Sequence, residues 1–285
     1  QFKRSDGFHE VETLMVPIGL YDSLRLSVRD DHQLCFSSRS TDRLCGAAGN
    51  SGRTGNSNPG LIPQDSSNLV VKALELLRRR FGVRFGADVH LTKRIPVGGG
   101  LGGGSSDAAA ALRGANSLWK LGCSRQQLFD LATVLGSDVP FFLEAKSAVC
   151  RGRGERMEPI GPIGPLHLVL ARPPASLSTP VVYQHCRVPT NARSVAAILE
   201  TLRKSRTADT GRLLFNRLQA PARELCHWIG LLEDFWDEQD CLGHAMTGSG
   251  ACYFSLCRSA RHARRLARRL EKTGLGAAVY VPVLP

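Results

Sequence analysis

No stretch of the 285 residues approaches the roughly 18 consecutive apolar positions that a membrane-spanning helix needs. No charged-then-apolar segment opens the chain, so no secretory leader is expected. Cysteine occurs nine times, at 35, 45, 123, 150, 186, 226, 241, 252 and 257, but never as Cys-x-x-Cys and never beside a His pair at zinc spacing. Zinc fingers and dithiol redox proteins are excluded by that pattern. The odd, scattered set reads as reduced, mostly buried thiols. Acidic residues are scarce, 25 against 37 basic ones, leaving a net charge of +12. Such an excess invites a polyanion, and a nucleic acid or a phosphorylated small molecule would both fit. The expectation is a soluble, cytoplasmic protein without a membrane partner, a monomer or homodimer.

What is present is an ordinary globular composition, 42% hydrophobic and 22% charged, which excludes wholesale disorder. The length suits one large domain or two modest ones, with a core that needs no metal or disulfide. Glu12 to Pro17 and Asp22 to Val28 alternate as strands, and Val89 with Leu91 repeats the period before Lys93. Ser37 to Gly60 is nearly empty of large apolar residues and is expected to be a mobile surface loop. Helices are expected over Asn68 to Arg79, Ser105 to Leu121 and Ser124 to Leu135, the last stopped by Gly136. Gly and Pro recur between Arg151 and Pro165, where a domain boundary is placed. Beyond it the pattern predicts a strand (Leu166 to Ala171), helices (Val195 to Arg203, Leu213 to Leu232), a strand (Ala251 to Leu256), a helix (Ala260 to Lys272) and a strand (Ala277 to Val283). Strands interleaved with helices in both halves predict an α+β, two-domain protein.

The most informative segment is PVGGGLGGGSSDAAAAL, residues 96–112, in which Gly98, Gly99, Gly100, Gly102, Gly103 and Gly104 surround Leu101. Glycine permits positive φ and close approach of a ligand to the backbone. Consecutive N–H groups can then form an anion cradle, and the helix that follows adds its free N–H groups and positive dipole end. Ser105 and Ser106 can cap that helix or donate to a phosphate. A linker is disfavoured because the cluster joins a strand directly to a patterned helix. A dinucleotide fingerprint fits as Gly98-x-Gly100-x-x-Gly103, but Pro96 separates it from the strand and no acidic residue about 20 positions on lies at a strand end. A Walker A loop requires a lysine, and the cluster has none. Asp138, flanked by Val139, Pro140, Phe141 and Phe142, reads equally as a helix cap or as a poorly solvated general base.

The stretch KRIPVGGGLGGGSSDAAAAL (93–112) resembles the nucleotide loop of the GHMP small-molecule kinases. DGFHEVETL (6–14), GSDVPFF (136–142) and MTGSGACYF (246–254) follow the same family in the same order, so the resemblance covers nearly the whole chain. It implies an N-terminal ribosomal-protein-like domain over residues 1–155 and a C-terminal ferredoxin-like α/β sandwich over residues 156–285. It also implies a branch of the family that phosphorylates the 2-hydroxyl of a cytidine-diphosphate-linked polyol with ATP. In that family the loop from Pro96 and Val97 to Ser106 holds the nucleotide, Asn68 contacts adenine, Lys93 lies near the nucleotide, and Asp138 is the catalytic base. Phe8 and His9 hold the cytosine ring, with Thr179 and Tyr183 at the substrate site. From the residues alone Phe8 and His9 are an aromatic pair at a strand edge, and Thr179 and Tyr183 an ordinary loop and strand start. No dedicated metal site is expected, Mg²⁺ being carried by the nucleotide. Alternatives are another GHMP kinase, or a degenerate member that binds nucleotide without efficient catalysis.

Nucleic-acid binding is a further class to weigh. Six arginines and Lys272 lie between Arg258 and Lys272, but Ala260, Ala263, Leu266, Ala267 and Leu270 form an apolar stripe. The arginines are then the solvated face of a helix, without interleaved aromatics for base stacking. No nucleic-acid partner is expected. The resemblance also implies a Lys-x-Asn motif on a strand upstream of the Asp6-Gly7 turn, and no residue here matches it. The chain as written is therefore expected to bind nucleotide but phosphorylate poorly, and its first long strand to carry an unpaired edge.

Overall fold

Alternating side chains lay down most of the strands. The computed structural model describes residues 2–3, 7, 9–41, 44, 62–187 and 193–284. In chain order the elements are β1 (Phe2–Lys3), β2 (His9–Met15), β3 (Ser23–Arg29), β4 (Leu34–Ser40), α1 (Leu69–Phe81), β5 (Gly86–Lys93), α2 (Gly103–Leu118), α3 (Arg125–Leu135), α4 (Val139–Glu144), β6 (Ala148–Gly152) and β7 (Arg156–Pro159). Then come β8 (His167–Arg172), α5 (Thr179–Gln184), α6 (Ala196–Arg203), α7 (Thr207–Leu213), α8 (Gln219–Leu225), α9 (His227–Asp237), β9 (Gly243–Met246), β10 (Tyr253–Cys257), α10 (Ala260–Glu271) and β11 (Ala277–Pro282).

Three sheets result, in the orders β1-β2-β6-β7, β3-β5-β4 and β11-β8-β10-β9. Helices α1, α2 and α3 share one core with β5, built on Leu74, Leu77, Val89, Leu112 and Leu131. Ala108, Ala109, Ala111 and Ala115 are fully buried there, because a methyl-only face lets α2 lie close to its neighbours. Asn68 caps α1 through its Oδ1, which accepts from the Val70 N–H at 2.8 Å, and Gly82 ends the helix in the left-handed region. Ser124 and Gln127 form a capping box at the start of α3.

The C-terminal sheet is buried on both faces. Val169 and Ala171 pack with α9 and α10, whereas Leu168 and Leu170 face α6 and the apolar residues that follow β2. Leu266 and Leu270 of α10 are fully buried, as the stripe requires. The arginines of α10 form its exposed face, as expected. On that face Arg265, with Arg258 just before the helix, pairs with Asp240, and Arg264 stacks over Tyr280. The two halves meet along a seam in which Ile18 bridges Val283, the Gly19 N–H donates to the Pro282 carbonyl at 2.8 Å, and the Leu284 N–H donates to the Pro17 carbonyl at 2.9 Å.

Several expectations need correction. Ser37 to Ser40 belong to β4, which pairs in parallel with β5 at the edge of its sheet; polar residues suit an edge exposed on one side. Leu44, the one large apolar residue between Thr41 and Gly60, is buried, and its carbonyl accepts from Arg172 Nη1 at 2.6 Å. The remainder of that stretch, residues 42–43 and 45–60, lies outside the described residues. The helix expected over Leu213 to Leu232 is split among α7, α8 and α9. Pro221 has no N–H to donate to residue 217, so it sits in the first turn of α8, and Cys226 is extended between α8 and α9. Of the eight described cysteines only Cys150, Cys252 and Cys257 are buried, and Cys35 is exposed. The edge of β2 is not bare at its start, since Phe2 and Lys3 pair with Glu10 and His9.

Leu112 is 0% exposed at the centre of the first core. Leu112→Ala is expected to cost about 2–5 kcal/mol, read as a lower urea midpoint at unchanged slope.

Candidate active site

The glycine loop lies between β5 and α2 and packs against a second glycine turn, Thr247 to Cys252, from the other half of the chain. Gly98, Gly100 and Gly102 have φ of 68°, 70° and 67°, values at which a side chain would be strained. A Cβ on Gly100 would lie 2.2 Å from the Thr247 carbonyl oxygen, and one on Gly102 would lie 2.7 Å from the Phe142 ring. The loop carbonyls are claimed by the second turn. Gly99 O accepts from Thr247 Oγ1 at 2.8 Å and from the Cys252 N–H at 3.2 Å, and Gly98 O accepts from the Ala251 N–H at 3.3 Å.

Helix α2 then starts at Gly103, with Gly102 as its cap and no side-chain cap. The first intrahelical bond runs from the Ser106 N–H to Gly102 O at 2.9 Å, so the N–H groups of Gly103, Gly104 and Ser105 have no acceptor within the helix. Gly104 is exposed. Ser106 does not cap the helix as expected; its hydroxyl donates to Gly103 O at 2.9 Å. The opening turn of α2 is thus a set of undirected donors at a positive dipole end, open at Gly104.

Lys93 lies beneath this turn, and a Cβ on Gly103 would come 3.0 Å from its Nζ. The ammonium is held by Asp22 Oδ2 at 2.5 Å and Asp107 Oδ2 at 2.6 Å, all three side chains being no more than 6% exposed. Asp22 Oδ1 also accepts from the N–H groups of Arg94 and Ile95, which fixes the strand end that launches the loop. Burial pushes the Asp107 carboxyl up to about 7, with Asp22 adding to the rise and Lys93 opposing it. Asp22 and Asp107 had no recognisable signature in the sequence. Only their spacing from Lys93 in the fold reveals them. Asn68 is buried and occupied as the α1 cap, its Nδ2 donating to Pro63 O at 2.7 Å. Leu69 beside it packs near Gly104, so the start of α1 walls the loop.

Asp138 precedes α4 at the cap position, but its side chain makes no capping hydrogen bond. The residue keeps open access to solvent, while protein crowds its carboxylate; a Cβ on Gly154 would lie 3.3 Å from Oδ1. Exposed surface and crowding together describe a carboxylate on the wall of an open crevice. The crowding raises its pKa above the ordinary 3.8, because it removes water from the charged form. Burial, then the charge of Asp138, raises the Tyr183 hydroxyl as well, so the two groups lie within electrostatic reach of each other. His9 stands against Tyr183, with ring centroids 5.2 Å apart and planes tilted by 47°. Tyr183 lies on α5 rather than in a loop or strand, and Thr179 opens that helix, its hydroxyl 2.7 Å from Ser249 Oγ in the second glycine turn. Phe8 lies outside the described residues. Contacts thus join His9 to Tyr183, Thr179 to the second glycine turn and that turn to the loop, with Phe142 of the Asp138 segment beside Gly102 and with Lys93 and Asn68 buried. Among the described residues no group of three His, Cys, Asp or Glu could hold a metal ion, and no helix is long and apolar enough to cross a membrane.

A raised carboxyl pKa means that the fold favours the protonated Asp138. The Asp138 contribution to stability then declines as the pH rises from 3.8 through the raised value and is constant above it. Asp138→Asn removes that loss, so the variant is expected to melt above wild type at pH 8, with the gap closing toward pH 4 in a thermal denaturation series.

Comparison with known proteins follows the same outline. The model of the GHMP kinases N terminal domain matches residues 68–146, and that of the GHMP kinases C terminal domain matches residues 198–276. A 4-diphosphocytidyl-2-C-methyl-D-erythritol kinase of Pelotomaculum thermopropionicum is 39% identical over 273 residues, 95% of this chain and 88% of that protein. The enzyme of the same name from Shouchella clausii is 35% identical over 266 residues, 93% and 83% respectively. A crystal structure of 4-(cytidine 5'-diphospho)-2C-methyl-D-erythritol kinase is 32% identical and superposes with a TM-score of 0.77 over 100% of this chain and 94% of that one. With the glycine loop, the second glycine turn and Asp138 arranged as described, the chain belongs to the 4-diphosphocytidyl-2-C-methyl-D-erythritol kinase family of the GHMP kinases.

Proposed function

We propose that the chain transfers the γ-phosphoryl group of ATP to the 2-hydroxyl of 4-diphosphocytidyl-2-C-methyl-D-erythritol, a step in isoprenoid precursor synthesis. The observation that carries the reading is Asp138, a carboxylate that makes no capping bond and whose charge is felt by Tyr183 of the His9–Tyr183 ring pair, on a segment whose Phe142 lies beside the glycine loop. The substrate hydroxyl oxygen attacks the γ-phosphorus, its proton passes to Asp138, and the bond to the β-phosphate oxygen breaks to release ADP. Asp138 suits the proton because its raised pKa makes it a better base than a fully hydrated carboxylate.

The loop from Pro96 and Val97 through Leu101 to Ser106 is assigned to the phosphates. Its carbonyls are drawn away by Thr247, Ala251 and Cys252, and its first-turn N–H groups lack internal acceptors. Glycine leaves that approach open, and Cβ atoms on Gly99, Gly100, Gly102 and Gly103 would collide with their surroundings. Mg²⁺ belongs to this reading as an ion that arrives on the nucleotide and neutralises phosphate charge. Asn68 is assigned to the adenine end of the site through the wall it caps, and Lys93 to the support of the loop from below. His9 and Tyr183 offer flat faces for the cytosine ring, together with Phe8 by resemblance, and Thr179 lies between them and the second glycine turn. The division at residues 1–155 and 156–285 is part of the same reading, with the β6–β7 hairpin carrying the first part on to Pro159. The small-molecule substrate is favoured over a degenerate, nucleotide-only role because the base and the aromatic pair stand beside the loop.

Coupled ADP release with the cytidine substrate and Mg-ATP tests the assignment. Turnover with homoserine, mevalonate or galactose instead would retain the family and overturn the substrate. Asp138→Asn is expected to lower turnover by roughly 10²-fold or more while nucleotide affinity stays nearly unchanged. Gly103→Val is expected to weaken ATP binding first, because its side chain would meet Ile95 and Lys93 at the base of the loop. Wild-type ATP affinity in that variant would remove the loop from the phosphate role.

A further inference from the structure

Strand β9 runs into the second glycine turn and is the last strand of its sheet among the described residues. The outward backbone groups at its end are therefore paired with side chains rather than with a neighbouring strand. Two residues at the start of α8 supply them. Gln219 Oε1 accepts from the Met246 N–H at 3.1 Å. Asn216 gives one Nδ2 hydrogen to Met246 O and the other to Gly248 O, each at 2.7 Å. Its Oδ1 accepts from the Leu218 N–H at 2.9 Å, so the amide cannot rotate without breaking three bonds. Between those two carbonyls, Thr247 O accepts from the Gly250 N–H at 2.8 Å. Three successive carbonyls are thus fixed, two of them by Asn216.

The turn held in this way reaches two separate groups of residues. On the phosphate side, Thr247 Oγ1 and the N–H groups of Ala251 and Cys252 bond the carbonyls of Gly98 and Gly99. Gly248 itself is pressed against the loop, where a Cβ would lie 2.8 Å from Gly100 O. On the other side, Ser249 Oγ lies 2.7 Å from the hydroxyl of Thr179, the first residue of α5. One helical turn further on, Tyr183 stands against His9. A displacement of the Gly248 carbonyl is transmitted along both chains of contacts.

We propose that Asn216 is a positioning residue for the reaction, which by holding the second glycine turn sets both the phosphate loop and the Tyr183 face; this rests on the function proposed above. The proton acceptor, Asp138, lies on another segment, so loss of the Asn216 bonds is read in binding rather than in the chemical step.

Asn216→Asp separates the two roles of the side chain. It keeps an oxygen for the Leu218 N–H, and with it the start of α8, but it removes both donors and sets a carboxylate oxygen against the Gly248 carbonyl. KM for Mg-ATP and KM for the cytidine substrate are each expected to rise by about tenfold, with kcat within about threefold of wild type. Wild-type KM values in Asn216→Asp, with a loss confined to Asn216→Ala, would reduce Asn216 to a local support of α8 and overturn the proposal. A change in one KM alone would remove the reach to both groups, and a fall in kcat at unchanged KM would contradict a positioning role. In the ligand-free chain, amide hydrogen exchange reads the same network without turnover. The Ala251 and Cys252 N–H groups are expected to exchange about tenfold faster in Asn216→Asp, with the Leu218 N–H unchanged. Equal exchange in variant and wild type would overturn the proposal as well. Should Asn216→Asp fail to fold, Asn216→Ser, whose side chain is too short to span both carbonyls, carries the same measurements. If wild type does not turn over the cytidine substrate, the proposed function fails by itself, and the exchange comparison still decides the role of Asn216.

Discussion

Two glycine-rich backbones from opposite halves of the chain touch at Gly100 and Gly248, and the course of the glycine loop depends on that contact. Neither would tolerate a side chain at the contact, with the Thr247 carbonyl oxygen 2.2 Å from the Cβ position of Gly100 and Gly100 O 2.8 Å from that of Gly248. Each backbone satisfies the other. The polar groups of a buried loop must be paired, and here the second turn supplies donors to Gly98 O and Gly99 O. A loop that has placed its carbonyls inward has little choice over where its N–H groups face. The anion-accepting character of the first half is therefore set in part by residues about 150 positions later in the chain.

Beneath that contact the electrostatics run in the opposite sense. Lys93 sits between Asp22 and Asp107 under the start of α2, where burial makes Asp107 hold its proton up to about 7. Burying such a group is costly unless geometry and partners are good. The two N–H groups donated to Asp22 offset part of that cost. The triad anchors the end of β5 on one side and the first turns of α2 on the other. The loop between them is thereby stretched across a fixed span. Asp138 represents the other choice, a carboxylate left without a partner where crowding makes ionisation less favourable. One carboxylate group is used up for position, the other is kept free for chemistry.

Periodicity and local chemistry made much of this legible in the sequence. The glycine cluster, Asn68 and Ser124 as caps, and the buried alanines of α2 are local signals that local structure obeys. Strands β8, β10 and β11 were legible as short, mostly apolar runs, the pattern of strands covered on both faces, whereas the short β9 was not read. What escaped reading depends on distant partners. β4 is polar because it is an edge strand that owes its existence to parallel pairing with β5. The break between α8 and α9 at Cys226 carries no glycine or proline. Helix α5 looked like a loop because its first turn holds Ser, Thr and Pro, residues that also open helices. Asp22 and Asp107 are ordinary aspartates until Lys93 is placed between them. For Asp138 the choice between cap and base could not be made from Val-Pro-Phe-Phe alone, and it turns on a capping bond that the side chain does not make.

The seam at Pro17 to Leu20 ties the opening of the chain to its end, with Ile18 paired to Val283 and Pro17 O to the Leu284 N–H. In a growing polypeptide the segment that follows β2 therefore has no partner until some 260 further residues have been synthesised, a delay of many seconds at about 5–20 residues per second. Its apolar side chains, Val16, Ile18 and Leu20, complete their core only with the C-terminal sheet. Ribosome-bound chains of this protein should carry an unfinished hydrophobic edge until β11 emerges, and chaperone contact matters most in that interval.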